Sequence, residues 1–246
     1  FPRPTGQVGL TQEGALFHER CRRMLDELND ARAMMQAAVG TPRGRLRVSL
    51  PRYSRLFEPA IATFMKQYPQ VRLDLDFTDR MVDVIGEGYD AVVRSGEMQD
   101  SGLKRRRLGQ FRRILAPSPV SLARHGPPRR RCDLQRHCCL HYRYPSTGKL
   151  EQWPLKTAAG APAPELPLTL VCNSVETRIF LALGDLGIVC LPDFTIRQEL
   201  ASGRLVTVMD ERTRGNATMW ALWPASRHPS PKLRVFVDHL ARHLFD

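Results

Sequence analysis

The densest group of side chains that could hold a metal lies mid-chain, in the run His137-Cys138-Cys139-Leu140-His141. Thiolates and imidazoles are ligands that zinc prefers. On a strand, however, neighbouring side chains point to opposite faces, so His137 and Cys138 do not share a metal. No CxxC element accompanies the run. We therefore interpret it as a buried strand, and we expect neither a metal nor another cofactor.

The sequence motifs of common enzyme classes are missing. The chain has no GxSxG elbow, no phosphate-binding GxxxxGK[ST] loop, no HExxH helix and no GxGxxG turn. A Cys–His hydrolase could be assembled only by choosing residues freely. We therefore expect no catalytic residues and no enzymatic activity.

Positive charge is concentrated in one part of the chain, which has 246 residues and a formal net charge of +12. Between Leu103 and Arg143 there are twelve Lys or Arg and one acid, Asp133. A phosphate-binding face is one explanation. Few aromatic residues interleave the arginines, and this favours a solvated arginine surface over a nucleic-acid site.

The region before residue 40 predicts a long helix over residues 12–40, with Thr11 as its N-cap and Gly40 at its end. Its apolar positions are spaced alternately by four and three residues, as in a coiled coil. A second copy of the helix is expected to pack along this seam and form a dimer. The seam residues are Phe17, Cys21, Met24, Leu28, Ala31 and Met35.

The next part of the chain predicts a parallel sheet. Leu46, Val48 and Leu50 alternate with polar residues, as expected for a strand. Apolar residues at helical spacing follow as far as Tyr68, and a second alternating strand covers residues 71–77. A short helix over 81–87 and a strand over 91–94 complete a βαβαβ pattern. Such sheets bind ligands at the carboxyl ends of their strands.

Shorter elements make up the rest of the chain. Strands are predicted over residues 114–116, 138–142, 168–171, 188–191, 205–209 and 218–223. Helices are predicted over residues 120–124, after the N-cap residue Asn173, over 194–201, and after Ser230 with Pro231 in the first turn. The pattern predicts a second α/β unit and a final helix that packs with one apolar face.

Several short motifs resemble those of LysR-type transcription regulators. The most specific are Phe1-x-Arg3-x-Thr5, Leu10-Thr11-x-x-Gly14 and the long helix that follows. Gly44-x-Leu46-x-Val48-Ser49, Gly88-Tyr89-Asp90-Ala91-x-Val93-Arg94 and Leu183-Gly184-x-Leu186-Gly187-Ile188-x-x-Leu191-Pro192 continue the match. The resemblance spans the whole chain.

The resemblance implies an α/β fold of two periplasmic-binding-protein-like lobes joined by two crossing strands and preceded by a long linker helix. Residues 1–11 are then the wing of a winged helix-turn-helix, most of which is missing from this chain, with Arg3 and Thr5 near DNA. Residues 12–40 form the linker helix. Residues 44–117 with 219–246 form lobe I, and residues 118–218 form lobe II.

In this family a small effector lies between the lobes, and the resemblance assigns nine residues to that site: Pro51, Arg52, Tyr53, Arg94, Ser95, Gly96, Asn173, Ser174 and Val175. The free N–H groups at a helix start suit an anion, and Arg52 and Arg94 strengthen that preference. We expect an organic acid or a polar aromatic effector. The structural alternative is that Asn173 only caps a helix, Arg94 only pairs with Asp90 or Asp79, and Arg52 is solvent-exposed.

The resulting hypothesis is a bacterial, cytoplasmic, dimeric or tetrameric regulator that senses an effector and, with its complete DNA-binding head, controls transcription. The cysteines lack the pattern of a disulfide framework, and no stretch approaches the roughly 20 apolar residues of a membrane span. Two alternatives remain open: a periplasmic-type solute-binding protein, and a truncated dimeric sensor that sequesters intact regulators without binding DNA itself.

Overall fold

The structure is a computed structural model that describes residues 11–14, 16–18, 20–21, 24–25, 28, 41–96, 102–155, 165–213, 216–225 and 229–245. The described residues between 12 and 28 are helical. The hydroxyl oxygen of Thr11 accepts the N–H of Gly14 at 3.0 Å, so the predicted N-cap is confirmed. The predicted helix beyond residue 28, including Ala31 and Met35, lies outside the described residues, as do Arg3 and Thr5.

Eight strands and five α-helices follow. The strands are β1 Gly44–Leu50, β2 Val71–Phe77, β3 Ala91–Ser95, β4 Leu103–Ala116, β5 Cys139–Tyr142, β6 Leu170–Cys172, β7 Ile188–Pro192 and β8 Asn216–Pro224. The helices are α1 Ser54–Gln67, α2 Pro119–His125, α3 Val175–Leu183, α4 Arg197–Ala201 and α5 Pro231–His243. Short 3-10 helices span Arg131–Arg136, Asp193–Ile196 and Asp210–Arg212.

The strands form one continuous sheet with the order β2-β1-β3-β8-β4-β7-β5-β6. Strand β4 is long enough to belong to two halves of it. Its residues up to Arg112 pair with β8, whereas Arg113 to Ala116 pair with β7. We call the half built on β2, β1, β3 and β8 the first lobe, and the half built on β7, β5 and β6 the second lobe. The two-lobed α/β fold expected from the sequence is therefore present.

Strand directions follow the expected pattern within each lobe. The pairs β1–β2 and β1–β3 are parallel, and so are β5–β6 and β5–β7. The strands that join the lobes pair in antiparallel fashion: β8 pairs with β3 and with β4, and β4 pairs with β7. The carboxyl ends of the parallel strands in the two lobes provide the edges at which ligands commonly bind.

Each lobe has its own apolar core. In the first lobe, β1, β2, β3, β4 and β8 pack against α1 and α5, with Phe57, Phe64 and Phe236 fully buried. In the second lobe, one cluster lies under α3 and around Leu191, and another surrounds Leu115 and Trp153. Among the helices in the described part of the chain, none is long and apolar enough to cross a bilayer.

The predicted helix over residues 81–87 is wrong, because this segment is a turn. The carboxylate of Asp83 accepts the N–H groups of Ile85 and Gly86, and Gly88 has a positive φ of 72°. Asp83 thus caps a single turn, in which the N–H of Glu87 donates to the Asp83 carbonyl, and the left-handed Gly88 ends this turn before a helix extends.

The prediction for residues 103–113 is also corrected. A strand was expected only over 114–116, whereas β4 begins at Leu103 and includes the first arginine run. The exposed arginines of β4 give no alternating hydrophobic pattern, so the sequence does not indicate a strand here. The strand is stabilised by backbone pairing with β8. The strand predicted over 205–209 is reduced to one bridge between Val208 and Leu115. The helix predicted over 194–201 divides into a 3-10 turn and the short α4.

Candidate functional site

A cavity of about 340 Å³ lies between the first turns of α1 in the first lobe and the exposed side of α3 in the second. The segment from Phe194 to Glu199 closes it on a third side. Its lining residues are Arg52, Tyr53, Ser54, Arg55, Leu56, Glu58, Val175, Glu176, Ile179, Phe180, Leu183, Phe194, Thr195 and Glu199. The centre of this lining is apolar and aromatic, whereas charged residues of both signs lie around it.

Three predicted site residues, Arg52, Tyr53 and Val175, line this cavity. Arg52 follows β1, and its backbone N–H donates to the carboxylate of Asp79 at 3.0 Å. Tyr53 packs against the cores of both lobes, and its ring meets that of Phe194 edge-on with centroids 5.4 Å apart. Burial raises the pKa of the Tyr53 hydroxyl, and the negative charges of Glu151 and Asp79 raise it further. Tyr53 is thus a neutral group between the lobes.

The other predicted residues of the first lobe do not line the cavity. Pro51 is buried beside it. Arg94 lies at the end of β3 and donates to the Ser49 hydroxyl at 2.8 Å, and to the carbonyls of Val93 at 2.7 Å and Arg80 at 3.2 Å. Burial lowers the pKa of the Arg94 guanidinium, which binds neutral acceptors of its own lobe. Ser95 and Gly96 follow it and are exposed.

The helix start in the second lobe differs from the prediction. Ser174, not Asn173, is the N-cap of α3, because its hydroxyl oxygen accepts the N–H of Thr177 at 3.1 Å. The same hydroxyl donates to the carboxylate of Glu176 at 3.1 Å. Asn173 is exposed and does not line the cavity. Since Glu176 already places a negative charge at this helix start, an anion gains less there than the sequence suggested.

The second lobe contains a buried charged network that the sequence did not predict. Glu151 accepts hydrogen bonds or ion pairs from two arginines, Arg113 at 2.7 Å and Arg178 at 3.4 Å. Arg178 is only 1% exposed and also donates to the carbonyl of Cys190 at 3.0 Å. Burial raises the pKa of the nearby Cys190 thiol to about 12. The buried Arg178 and the half-buried Arg113 thus share one carboxylate.

This network reaches the first lobe through Tyr142. The Arg178 guanidinium lies over the Tyr142 ring, 4.8 Å from its centroid, and the Tyr142 hydroxyl donates to the Asp79 carboxylate of the first lobe. Burial raises the pKa of Tyr142, and the hydrogen bond to Asp79 raises it further. A sequence signal for the network was available: Arg178 shares the buried face of α3 with Val175 and Ala182, where an arginine requires a partner.

Cys139, Leu140 and His141 of the His–Cys run lie in β5, as predicted, whereas His137 and Cys138 precede the strand. Cys139 is buried and Cys138 is exposed, while a ring nitrogen of His141 lies 3.0 Å from the carbonyl oxygen of Pro167. Burial lowers the pKa of both His137 and His141. In the part of the chain that the structure describes, no group of three or more His, Cys, Asp or Glu is placed to hold a metal ion.

Two α/β lobes with a cavity between them define a two-lobed domain for binding small molecules. The protein-family model described as the LysR substrate binding domain matches residues 40–245 of this chain. The chain therefore belongs to the LysR family of transcription regulators, as its motifs indicated, and it carries the effector-binding domain of that family. The alternative of a periplasmic-type solute-binding protein is not supported.

The relatives are bacterial regulators. The chain is 34% identical over 245 residues to the HTH-type transcriptional regulator CrgA of Neisseria meningitidis, covering 98% of this chain and 81% of CrgA. It is 30% identical to an HTH-type transcriptional regulator of Xanthomonas campestris, covering 98% and 72% of the two chains. The solved CrgA structure superposes with a TM-score of 0.75 at 33% identity, covering 100% of this chain and 83% of CrgA.

Proposed function

We propose that the cavity between α1 and α3 is the effector site through which this regulator senses a small molecule. The observation that carries the proposal is that both lobes contribute to one lining, with Arg52 and Tyr53 on one side and Val175 and Ile179 on the other. A ligand there contacts both lobes at once, so its binding energy depends on how the lobes are placed.

The lining favours an effector with an aromatic or apolar body. Tyr53, Phe180 and Phe194 supply rings, and Ile179 and Leu183 supply aliphatic surface. We propose a small organic acid or polar aromatic compound, with its polar group directed toward Arg52. The remaining predicted residues, Pro51, Arg94, Ser95, Gly96, Asn173 and Ser174, stay predictions as effector-binding residues.

Thermal melting tests this site. A ligand that binds only the folded state stabilises it by mass action and so raises the melting temperature. At a ligand concentration of 100 times Kd, the free energy of unfolding increases by about 2.7 kcal/mol. The purified chain is melted against a panel of aromatic acids, aliphatic acids and neutral aromatics. Arg52→Ala is expected to reduce the shift caused by a hit, whereas Arg72→Ala, on the exposed face of β2, leaves it intact. Equal shifts in both variants contradict the cavity assignment.

We further propose that the N-terminal helix pairs two copies of the chain. Phe17, Met24 and Leu28 lie on its seam and are exposed by 50% or more, and Leu16 and Leu25 beside the seam are exposed to a similar degree. Apolar residues in heptad positions are stabilised when a partner covers them. Cys21, half-buried, occupies the same seam.

Light scattering of the intact chain tests the pairing. Replacing Phe17, Met24 and Leu28 by glutamate is expected to shift the mass toward a monomer, because like charges then face each other along the seam. Replacing His18 and Arg20 by glutamate is the matched control, since these helical residues lie off the seam. A dimer or tetramer that survives the seam changes argues against a homodimer through this helix.

Residues 1–11 are proposed as the wing of the DNA-binding domain, with Arg3 and Thr5 near the DNA backbone, and residues 12–40 as the linker helix. Residues 44–117 with 219–246, and residues 118–218, are proposed as lobes I and II; the change of pairing partner along β4 supports this division. We place the protein in the bacterial cytoplasm.

Binding of the regulator to operator DNA tests the role of Arg3. Arg3→Ala is expected to reduce the slope of log affinity for this DNA against log salt concentration by about 1.

A further inference from the structure

Asp79 occupies an unusual position between the lobes. It follows β2 in the first lobe, and one carboxylate oxygen accepts the backbone N–H of Arg52 at 3.0 Å. The other oxygen accepts the hydroxyl of Tyr142, which ends β5 in the second lobe. One carboxylate is thus held by a donor from each lobe, beside a residue that lines the proposed effector cavity.

The second lobe presents excess positive charge behind Tyr142. Arg178 packs against the Tyr142 ring, and Arg113 lies on the other side of Glu151. These two guanidiniums have one carboxylate in their own lobe. Within the described residues, the Nε of the almost fully buried Arg178 has no hydrogen-bond partner. A second negative charge near this network is therefore favoured electrostatically, and Asp79 supplies it from the other lobe.

The negative charge of Asp79 also affects the pKa of three tyrosines. The Asp79 charge raises the pKa of Tyr53 and Tyr144 after burial and the charge of Glu151, and it raises the pKa of its direct partner Tyr142. Arg52, whose backbone N–H binds Asp79, lines the cavity, so the carboxylate lies next to the cavity wall. One hydroxyl, from Tyr142, and one backbone N–H, from Arg52, bind this carboxylate directly.

We propose that Asp79 is a tethered occupant of a carboxylate subsite, and that the acid group of the effector displaces it. The incoming carboxylate accepts the Tyr142 hydroxyl and the Arg52 N–H in place of Asp79, while its apolar body lies against Tyr53 in the cavity. This inference rests on the proposed effector site and assigns the chemistry of one end of it. Displacement also removes the direct hydrogen bond between the lobes, which links binding to lobe movement.

The tether predicts a competition that can be measured. An affinity is reduced by the fraction of protein that is competent to bind, so a subsite filled by Asp79 nine times out of ten weakens binding about tenfold. Removing the Asp79 carboxylate is therefore expected to strengthen binding of a free carboxylate by about tenfold. A purely structural Asp79 predicts no gain in affinity, because its loss destabilises the protein without opening a subsite to a free carboxylate.

The test uses acetate, which reproduces the deleted side chain, and acetamide, which has the same shape without charge. Melting temperatures of the intact wild-type chain and of Asp79→Ala are measured at pH 7 against each compound at constant ionic strength. Acetate is expected to stabilise Asp79→Ala at about a tenth of the concentration that wild type requires, and acetamide is expected to have little effect. Asp74→Ala is the control, because it removes a carboxylate of β2 that pairs with the Arg45 side chain away from the cavity.

Two further variants make the result decisive. Tyr142→Phe placed on Asp79→Ala is expected to abolish the acetate gain, since it removes the second-lobe donor. If Asp79→Ala does not fold cooperatively, Asp79→Asn replaces it, and acetate must still bind more tightly than to wild type. Equal acetate affinity in wild type and variant, or equal gains with acetate and acetamide, overturns the proposal. A neutral hit whose binding depends on Arg52 would leave the effector site standing while the carboxylate subsite fails.

Discussion

The two lobes hold their buried charged groups in different ways. In the first lobe, Arg94 is surrounded by a serine hydroxyl and backbone carbonyls, and the ion pairs of Arg45, Arg80 and Arg106 lie at the surface. In the second lobe, Arg178 and Glu151 are 1% and 7% exposed and are joined by Arg113. The first lobe holds its buried arginine with neutral acceptors and keeps these ion pairs near the surface, whereas the second lobe places two arginines around one buried carboxylate.

The difference places the two lobes in different roles. A first lobe whose arginines are already bonded offers a scaffold and one movable acid, Asp79. A second lobe with two arginines for one carboxylate offers an electrostatic environment that a further anion can complete. The contrast therefore explains why the contact between the lobes runs from an aspartate of one to a tyrosine of the other.

The largest expected effect comes from removing the carboxylate of the second-lobe network. Glu151→Ala leaves the buried Arg178 and the half-buried Arg113 without their carboxylate, and breaking a buried ion pair in this way costs about 3 to 5 kcal/mol. Urea unfolding measures the loss, with Glu58→Ala on the exposed side of α1 as a control expected to change stability by less than about 0.5 kcal/mol. A loss below about 1 kcal/mol for Glu151→Ala would remove the contrast between the lobes.

A smaller effect is expected from the corresponding change in the first lobe. Ser49→Ala removes the hydroxyl that accepts from Arg94, but the carbonyls of Val93 and Arg80 remain. We expect a loss of about 1.5 kcal/mol, because a hydrogen bond to a charged group is removed at a fully buried residue. Ser95→Ala, at the exposed end of β3, should be nearly neutral. If Ser49→Ala costs as much as Glu151→Ala, the first lobe also depends on one acceptor.

The pH dependence of stability is expected to sharpen the comparison. Burial lowers the pKa of His137 and His141 in the second lobe and of His239 in the first, below their ordinary value of 6.5. The unfolded chain then binds protons first as the pH falls, so these residues stabilise the fold above about pH 6.5 and that stability is lost below it. The loss is at most about 1.4 kcal/mol per histidine per pH unit.

Unfolding midpoints at pH 5.5 and 7.5 measure this effect. His141→Gln and His239→Gln should each make stability less dependent on pH. An unchanged pH dependence in both buried variants would show that other groups control it.

The smallest effect is expected at the surface of the first lobe. The ion pair between Arg106 and Asp238 joins β4 to α5 and is largely exposed. Arg106→Ala is expected to cost about 0.2 to 1 kcal/mol and to lose its effect at high salt, because solvent and ions screen the pair. Denaturation at low and high ionic strength checks this, and Arg105→Ala, on the same strand, is the variant used for comparison. A loss of several kcal/mol would mean that the first lobe also depends on charge pairing.

Much of the fold could be predicted because its signals are local. Alternation in β1 and β2, the apolar face of α5 and the Thr11 cap each depend on neighbouring residues. Prediction failed where a side chain or a distant strand determined the outcome. Asp83 folds back on its own backbone over 81–87, and the arginine run of β4 becomes a strand by pairing with β8.

The candidate site was predicted only in part for the same reason. Arg52, Tyr53 and Val175 line the cavity, because strand ends and helix starts converge in a parallel α/β lobe; their role in effector binding stays a prediction. The sequence by itself determined the family, the two α/β units and that convergence, through periodicity, caps and motifs that act over a few residues. Only the tertiary structure decided the partners of the buried charges. Arg178 meets Glu151 across 27 residues and Asp79 meets Tyr142 across 63, and such contacts depend on how whole lobes pack, which no local pattern encodes.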